Sequence, residues 1–435
     1  MATRRQRREQ PPQAAAQPEP RQGPRPLPLH LSAAALTWAS SLAALPLLRS
    51  GSLPWKPALA PRAKALVEAL RAANLQKAEA DAFATAVQAA VRQRAARLLD
   101  GIEAYRHHPY RRTLPEPPTL WQEGTTRLLD YGALADDGGP GKRAGYPLLV
   151  VPSLINRAYI LDLTEETSLL RWLAARGLRP YLVDWGRPGP LERRFSLTDY
   201  IAGRLEGALD AILETAGRPP LLAGYCMGGL LALALAEKRQ RDLAALALLA
   251  TPWDFRAPGA PPPQLILSGL VAAAPFLEIL GEMPVDLIQA LFAGLDLQVA
   301  LRKFLAFERL DPASPEALRF VALEDWLNDG VPLAAPVARE CLGGWYVENT
   351  PARGLWRIAG RPVDPARCSL PTLCLVPGHD RIVPPQSAAA LAAAIPGAET
   401  WRPAAGHIGM VVSKASPERV WSPLLGWLKA RCATA

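Results

Sequence analysis

The stretch that most restricts the fold is Leu221-Leu222-Ala223-Gly224-Tyr225-Cys226-Met227-Gly228-Gly229, followed at once by Leu230-Leu231-Ala232-Leu233-Ala234-Leu235-Ala236-Glu237. It reads as a short apolar strand, a tight turn and an apolar helix with no linker between them. The turn carries G-x-C-x-G-G, the nucleophile-elbow pattern G-x-S-x-G with cysteine in the serine position. So sharp a turn is strained, and side chains beside Cys226 would strike the strand and helix it joins; glycines therefore flank it. A nucleophile there sits at a helix N-terminus, where unpaired N–H groups and the helix dipole stabilise negative charge. A buried structural cysteine in a glycine-rich turn fits the same residues, so the rest of the chain must decide.

Around this turn, apolar runs of strand length alternate with helical periods. Residues 146–152 and 179–186 read as strands, separated by a helix over 168–176 that Gly177 closes. Residues 197–216 form an amphipathic helix. Apolar strands follow at 244–250 and 371–377, then a helix over 386–394, a strand at 399–403 and a terminal helix around 421–430. Residues 125–131 read as an edge strand, followed by a turn at 137–141. Strands that are apolar throughout belong to a parallel sheet covered on both faces. The expectation is an α/β fold whose mostly parallel central sheet comes from residues 121–253 and 361–435. Cys226 then lies at the C-terminal end of a central strand, where open α/β sheets place ligands. Residues 254–360 break the rhythm with a proline-rich opening, apolar helical runs and then Trp326, Trp345, Tyr346 and Trp356. They read as a helical cap inserted over the site, or as an ordinary helical layer.

The N-terminal part is different in kind. Residues 1–26, rich in Arg, Gln, Pro and Ala, cannot bury a core and are expected to be disordered. Residues 27–120 read as a helical extension. Within it, 27–48 is an uncharged run that suits a docked or interfacial helix, or else a membrane span or signal. His107 and His108 precede a proline and read as a surface loop, with no further Cys or His nearby to complete a metal site. The formal net charge of +9 favours anionic partners such as nucleic acid, acidic membranes or a phosphate-bearing substrate. Five cysteines, an odd number with no C-x-x-C pair, argue against a disulfide framework or a zinc site and for a reducing compartment.

The downstream residues give the cysteine a chemical role. Asp380 follows one later strand and His407 lies in a loop after the last, and the order nucleophile, acid, histidine is that of the α/β-hydrolase fold. A thiol must lose its proton to attack, and an imidazole can take it near neutral pH. The imidazole needs a carboxylate on its other nitrogen to fix tautomer and orientation. An oxyanion needs two backbone N–H donors: Met227, after the nucleophile, and Leu154 or Ile155, in the loop after an earlier strand. Asp380 as a turn residue or helix cap, His407 as a structural histidine and His379 as a rival base remain open on the sequence alone.

These residues sit within longer segments. Leu154-Ile155-Asn156-Arg157-Ala158-Tyr159-Ile160-Leu161-Asp162-Leu163, Tyr181-Leu182-Val183-Asp184-Trp185-Gly186, the cysteine turn, Thr251-Pro252-Trp253-Asp254-Phe255, Asp380-Arg381-Ile382-Val383-Pro384 and Gly406-His407-Ile408 together resemble the polyhydroxyalkanoate synthases. The agreement runs from about 146 to 427. The resemblance implies an acyltransferase that polymerises 3-hydroxyacyl-CoA and releases CoA. Cys226 would carry the chain as a thioester, His407 would activate Cys226 or the incoming hydroxyl, and Asp380 would support His407 or act on that hydroxyl. It implies no cofactor beyond the CoA thioester substrate, a cytoplasmic enzyme at the surface of a polymer granule, a second synthase subunit or a homodimer, and no nucleic-acid partner. The chain is closer in size to the synthases that need a second subunit. After Ile408 it departs from the family's usual Asn-Pro-Pro segment. A polyester depolymerase or thioesterase with the same triad, or a non-catalytic surface protein, are the alternatives.

Overall fold

The computed structural model describes residues 20–73, 77–134 and 145–432. Residues 1–19 of the expected tail and the expected turn at 137–141 lie outside these. Residues 20–26, assigned by composition to the disordered tail, are instead held. Arg21 donates its backbone N–H to Arg106 O (3.2 Å) and pairs its guanidinium with Asp325 (2.6 Å). The same guanidinium reaches the carbonyls of His108 and Tyr110. A half-buried arginine matched by a carboxylate and carbonyls anchors a segment whose composition alone would leave it loose. The run 27–48 forms α1 (Leu27–Ala43) and a short helix, Leu45–Ser50. α1 docks through Ala34, Leu31 and Trp38 on a cluster that includes Leu98 and Ile102 of α2 (Lys77–Arg106). His108 is also not on the surface. It is 4% exposed, its Nε2 lies 2.9 Å from Pro312 O, and Tyr110 N donates to its Nδ1. A ring satisfied at both nitrogens is a packing residue.

The main sheet has eight strands: β1 (Thr119–Glu123), β2 (Thr126–Asp130), β3 (Tyr146–Val151), β4 (Leu178–Asp184), β5 (Leu221–Tyr225), β6 (Ala245–Leu249), β7 (Thr372–Leu375) and β8 (Glu399–Trp401). Their order is β1-β2-β4-β3-β5-β6-β7-β8. β2 is antiparallel to both β1 and β4, and every other pair is parallel. β3, β5, β6 and β7 are buried at every position, as strands covered on both faces must be. Leu149, Val151, Leu222 and Leu248 face one core, and Leu148, Val150, Leu221 and Leu249 face the other. α3 (Met227–Lys238) is buried from Met227 to Ala236, which is why its sequence is apolar on every side. The edge of the sheet is β1, not 125–131 as the pattern suggested. β1 is exposed at three of its five positions and follows three prolines, so nothing in its sequence alternates. Its Trp121 fills the space left by the missing side chain of Gly207.

The insertion between β6 and β7 contains α4 (Pro263–Leu280), α5 (Val285–Ala293), α6 (Val299–Phe307) and α7 (Pro315–Asn328). A further helical segment runs from Ala335 to Val347. Phe304 and Phe307 of α6 and Ala317 and Val321 of α7 join α1 and α2 in one cluster. α5, the 335–347 segment and the C-terminal end of α7, with Trp326 and Leu327, cover the end of the sheet that carries Cys226, and α4 packs on the same core through Ile266, Ala273 and Leu277. α4 is the one described helix long and apolar enough to cross a membrane, judged by length and composition only.

Candidate active site

Cys226 sits between β5 and α3 with φ 57° and ψ −129°, a strained conformation that only a tightly determined turn sustains. The surrounding glycines show what determines it. A Cβ on Gly224 would lie 2.5 Å from Gly229 Cα; one on Gly228 would meet Pro152 C at 2.6 Å; one on Gly229 would meet Thr251 Cβ at 2.7 Å. Strand, turn and helix therefore touch backbone to backbone. Cys226 N donates to Leu249 O (2.8 Å), which ties the turn to the neighbouring strand.

Asp380 lies in the loop after β7. Its Oδ1 accepts the N–H groups of Ile382 (2.8 Å) and Val383 (2.9 Å), and its Oδ2 lies 2.6 Å from His407 Nδ1. Both residues are 7% exposed. The other side of the His407 ring is in hydrogen-bonding reach of Cys226. Burial pulls the imidazole pKa down, but a Cys226 thiolate and the Asp380 carboxylate outweigh it and hold it raised, to about 10. The structure thus brings Cys226, His407 and Asp380 together from three strand ends. His379, the rival, is exposed; its backbone N–H donates to Ala405 O and so helps join the loops that carry Asp380 and His407.

Cys226 and His407 line a cavity of about 160 Å³ whose walls are mainly apolar. Its roof comes from the insertion, with Phe292, Trp326, Trp345 and Tyr346. Met227 and Ile155 also line it. Met227 starts α3, so its N–H has no partner inside the helix. Ile155 N–H donates to Ser153 Oγ (3.0 Å), while the Leu154 side chain is buried in the core. The loop then turns at Asn156 (φ 64°), whose side-chain oxygen accepts from Gln289 on α5 (3.3 Å). No group of three or more His, Cys, Asp or Glu among the described residues could hold a metal.

Two contributors escape a reading of the sequence. Tyr225 donates its hydroxyl to His407 O (3.1 Å), and its ring lies 5.3 Å from the imidazole. Burial, with charge on Cys226 and Asp380, pushes the Tyr225 pKa well up, so the hydroxyl stays a donor. Gln289 links the insertion to the loop at Asn156 and also donates to Leu327 O (2.8 Å). Tyr225 is adjacent to Cys226 and could have been suspected; nothing marks Gln289.

A family model for the alpha/beta hydrolase fold matches residues 146–413, more than half of the chain. The chain is an α/β-hydrolase-fold protein, in agreement with its strand order and its mostly parallel sheet. Its relatives are narrower in kind. It is 30% identical to the poly(3-hydroxyalkanoate) polymerase subunit PhaC of Synechocystis sp., across 72% of this chain and 84% of that one. It is 28% identical to the subunit PhaC of Allochromatium vinosum, across 70% and 86%. With the subunit PhaC of Haloferax mediterranei it shares 28% identity, across 72% of this chain and 64% of that one, just under two thirds of the relative's length. The chain belongs to the PhaC polymerase family.

Proposed function

We propose that the chain polymerises 3-hydroxyacyl-CoA through an acyl-cysteine and releases CoA. The observation that supports this reading best is the pairing of Cys226 with His407 on the wall of a mainly apolar cavity, with Asp380 bonded to the imidazole from behind. With its proton held on His407, whose raised pKa keeps it there, the Cys226 sulfur attacks the thioester carbonyl. The oxyanion is met by the Met227 N–H and a donor from the 154–155 loop. The tetrahedral adduct expels CoA thiolate, which takes the proton from His407 and leaves an acyl-cysteine. The hydroxyl of a second 3-hydroxyacyl-CoA then gives its proton to His407 and attacks that thioester; the ester C–O bond forms as the C–S bond breaks, and the departing Cys226 sulfur shares the proton held by His407. Asp380 holds the imidazole in the tautomer that accepts these protons.

An apolar cavity disfavours water as the competing nucleophile, and this separates a polymerase from a depolymerase or thioesterase built on the same three residues. In this reading the enzyme works in the cytoplasm at a polymer-granule surface, with a second synthase subunit or as a homodimer. The test supplies 3-hydroxybutyryl-CoA to wild type and Cys226→Ala. Polymer with CoA release, lost in the variant, supports the proposal. Free acid with CoA release makes the protein a hydrolase. Equal behaviour of the two proteins removes the cysteine from the mechanism.

A further inference from the structure

A second, smaller cavity of about 60 Å³ adjoins the one that holds Cys226. The two share six wall residues: Ile155, Phe292, Leu333, Leu342, Tyr346 and Ile382. The shared wall lies beside the chemistry. Ile382 donates its N–H to Asp380, Ile155 belongs to the loop that flanks the candidate oxyanion site, and Tyr346 is close enough to Cys226 to feel its charge. Beyond that wall the second cavity is bounded by Ile266 of α4, by Ile288 and Leu291 of α5 and by Met283. At Leu295, which is 41% exposed, it nears the surface.

The lining selects its occupant. Among these side chains only Tyr346 carries a hydrogen-bonding group. Phosphates and the amides of a pantetheine arm would lose their water and find at most the one Tyr346 hydroxyl there. A saturated hydrocarbon loses nothing and gains burial. We infer that the second cavity takes the alkyl side chain at C3 of the hydroxyacyl group, and that Phe292 and Leu291 set how long a chain it accepts. The inference rests on the reading of Cys226 as the acyl acceptor: with the carbonyl at the sulfur, C3 lies two bonds further on, at the shared wall. The second cavity extends from the shared wall to Leu295, which is partly exposed, so a side chain longer than methyl has space to enter it. Each buried methylene is worth a factor of about 4 in binding.

The experiment measures kcat/KM for 3-hydroxyacyl-CoA substrates of four, six and eight carbons with wild type, Leu291→Trp and Phe292→Ala. Leu291→Trp fills the second cavity and should lower the eight-to-four-carbon ratio about 10-fold or more. Phe292→Ala widens the shared wall and should raise that ratio severalfold. The variants push in opposite directions, so general damage to the fold cannot imitate the result; thermal melts identify a variant that has lost its structure. If Leu291→Trp is unfolded, the rise in Phe292→Ala decides alone. CoA release with ratios unchanged within twofold in every folded variant overturns the inference while the proposed reaction stands. The rate of Cys226 labelling by N-alkyl iodoacetamides of rising chain length gives a second reading that needs no polymerisation. Labelling that speeds up with alkyl length in wild type and slows in Leu291→Trp supports the alkyl site even where no CoA is released, in which case the proposed reaction alone has failed.

Discussion

Asp380→Asn separates the acid's structural and chemical roles. Asp380 Oδ1 holds two backbone N–H groups, from Ile382 and Val383, and Oδ2 holds His407 Nδ1 at 2.6 Å. Asparagine can offer its oxygen to the two backbone donors and keep the loop. Its NH2 then faces Nδ1, which must become the acceptor, and the ring proton moves to Nε2, facing the sulfur. A ring in that tautomer cannot take the thiol proton. Catalysis should fall about 10³–10⁴-fold, equivalent to roughly 4–5 kcal/mol of barrier. Stability should fall far less, by about 1 kcal/mol, since one charge-assisted bond gives way to a neutral one. Asp380→Ala removes both acceptor oxygens, and so all three hydrogen bonds, and strands two N–H groups at roughly 1–3 kcal/mol each. The two variants should therefore match in activity and differ in thermal melt. The assay is CoA release by chromatography, with the alkylation rate of Cys226 as a substrate-free readout. An Asn variant that keeps more than about a tenth of wild-type turnover and labels at the wild-type rate would refute the reasoning.

Three other substitutions and conditions test neighbouring parts of the argument. His407 has a raised pKa, so the stability it contributes is complete below its ordinary value of 6.5 and is lost as the pH climbs through about 10. The stability gap between wild type and His407→Gln, read from urea midpoints, should shrink across that window; a gap that widens contradicts it. Tyr225→Phe leaves the buried His407 carbonyl without its donor, so the melt should drop by roughly 1–3 kcal/mol and Cys226 alkylation should slow; unchanged labelling would mean that Tyr225 does not position the ring. Gly229→Ala drives a methyl into Thr251 and should cost about 1–3 kcal/mol or more. Adding Thr251→Ala removes the hydroxyl and methyl but not the Cβ, so the double variant should recover part of the loss; no recovery points to backbone strain instead.

What could be read in the sequence was what one short stretch determines. The glycines around Cys226 announce close approach; the structure has backbone against backbone at Gly224 and Gly228, and the Thr251 side chain against Gly229. Strands such as β5 and β6 were legible because burial on both faces makes them apolar throughout. Asp380 and His407 were legible by order along the chain, since each lies just past a recognisable strand. β1 was not, because an exposed edge strand carries no alternation and its prolines mimic a loop. Nor was the order in residues 20–26, which depends on one arginine meeting a carboxylate more than three hundred residues away. His108 looked like surface because a single sequence does not reveal that Pro312 O waits for its ring. Local pattern reports local geometry, and contacts between distant segments leave no trace in it.

One of those distant contacts bears on the cavity. Four successive residues at the end of α7 divide their duties between the site and the N-terminal extension. Asp325 takes Arg21 and the Tyr105 hydroxyl (3.0 Å), and Asn328 accepts the N–H of Arg25 (2.8 Å). Trp326 and Leu327, between them, line the cavity that holds Cys226. The Trp326 indole donates to Arg157 O (2.7 Å), one residue past the turn at Asn156. A shift of α7 by an ångström would move the cavity wall and the loop of the candidate oxyanion donors together, a displacement that costs a reaction heavily. The N-terminal segment holds α7 through a salt bridge and backbone hydrogen bonds, all directional, whereas apolar contacts alone would let the helix slide. The extension therefore belongs to the architecture of the site, although none of its described residues lines the cavity that holds Cys226.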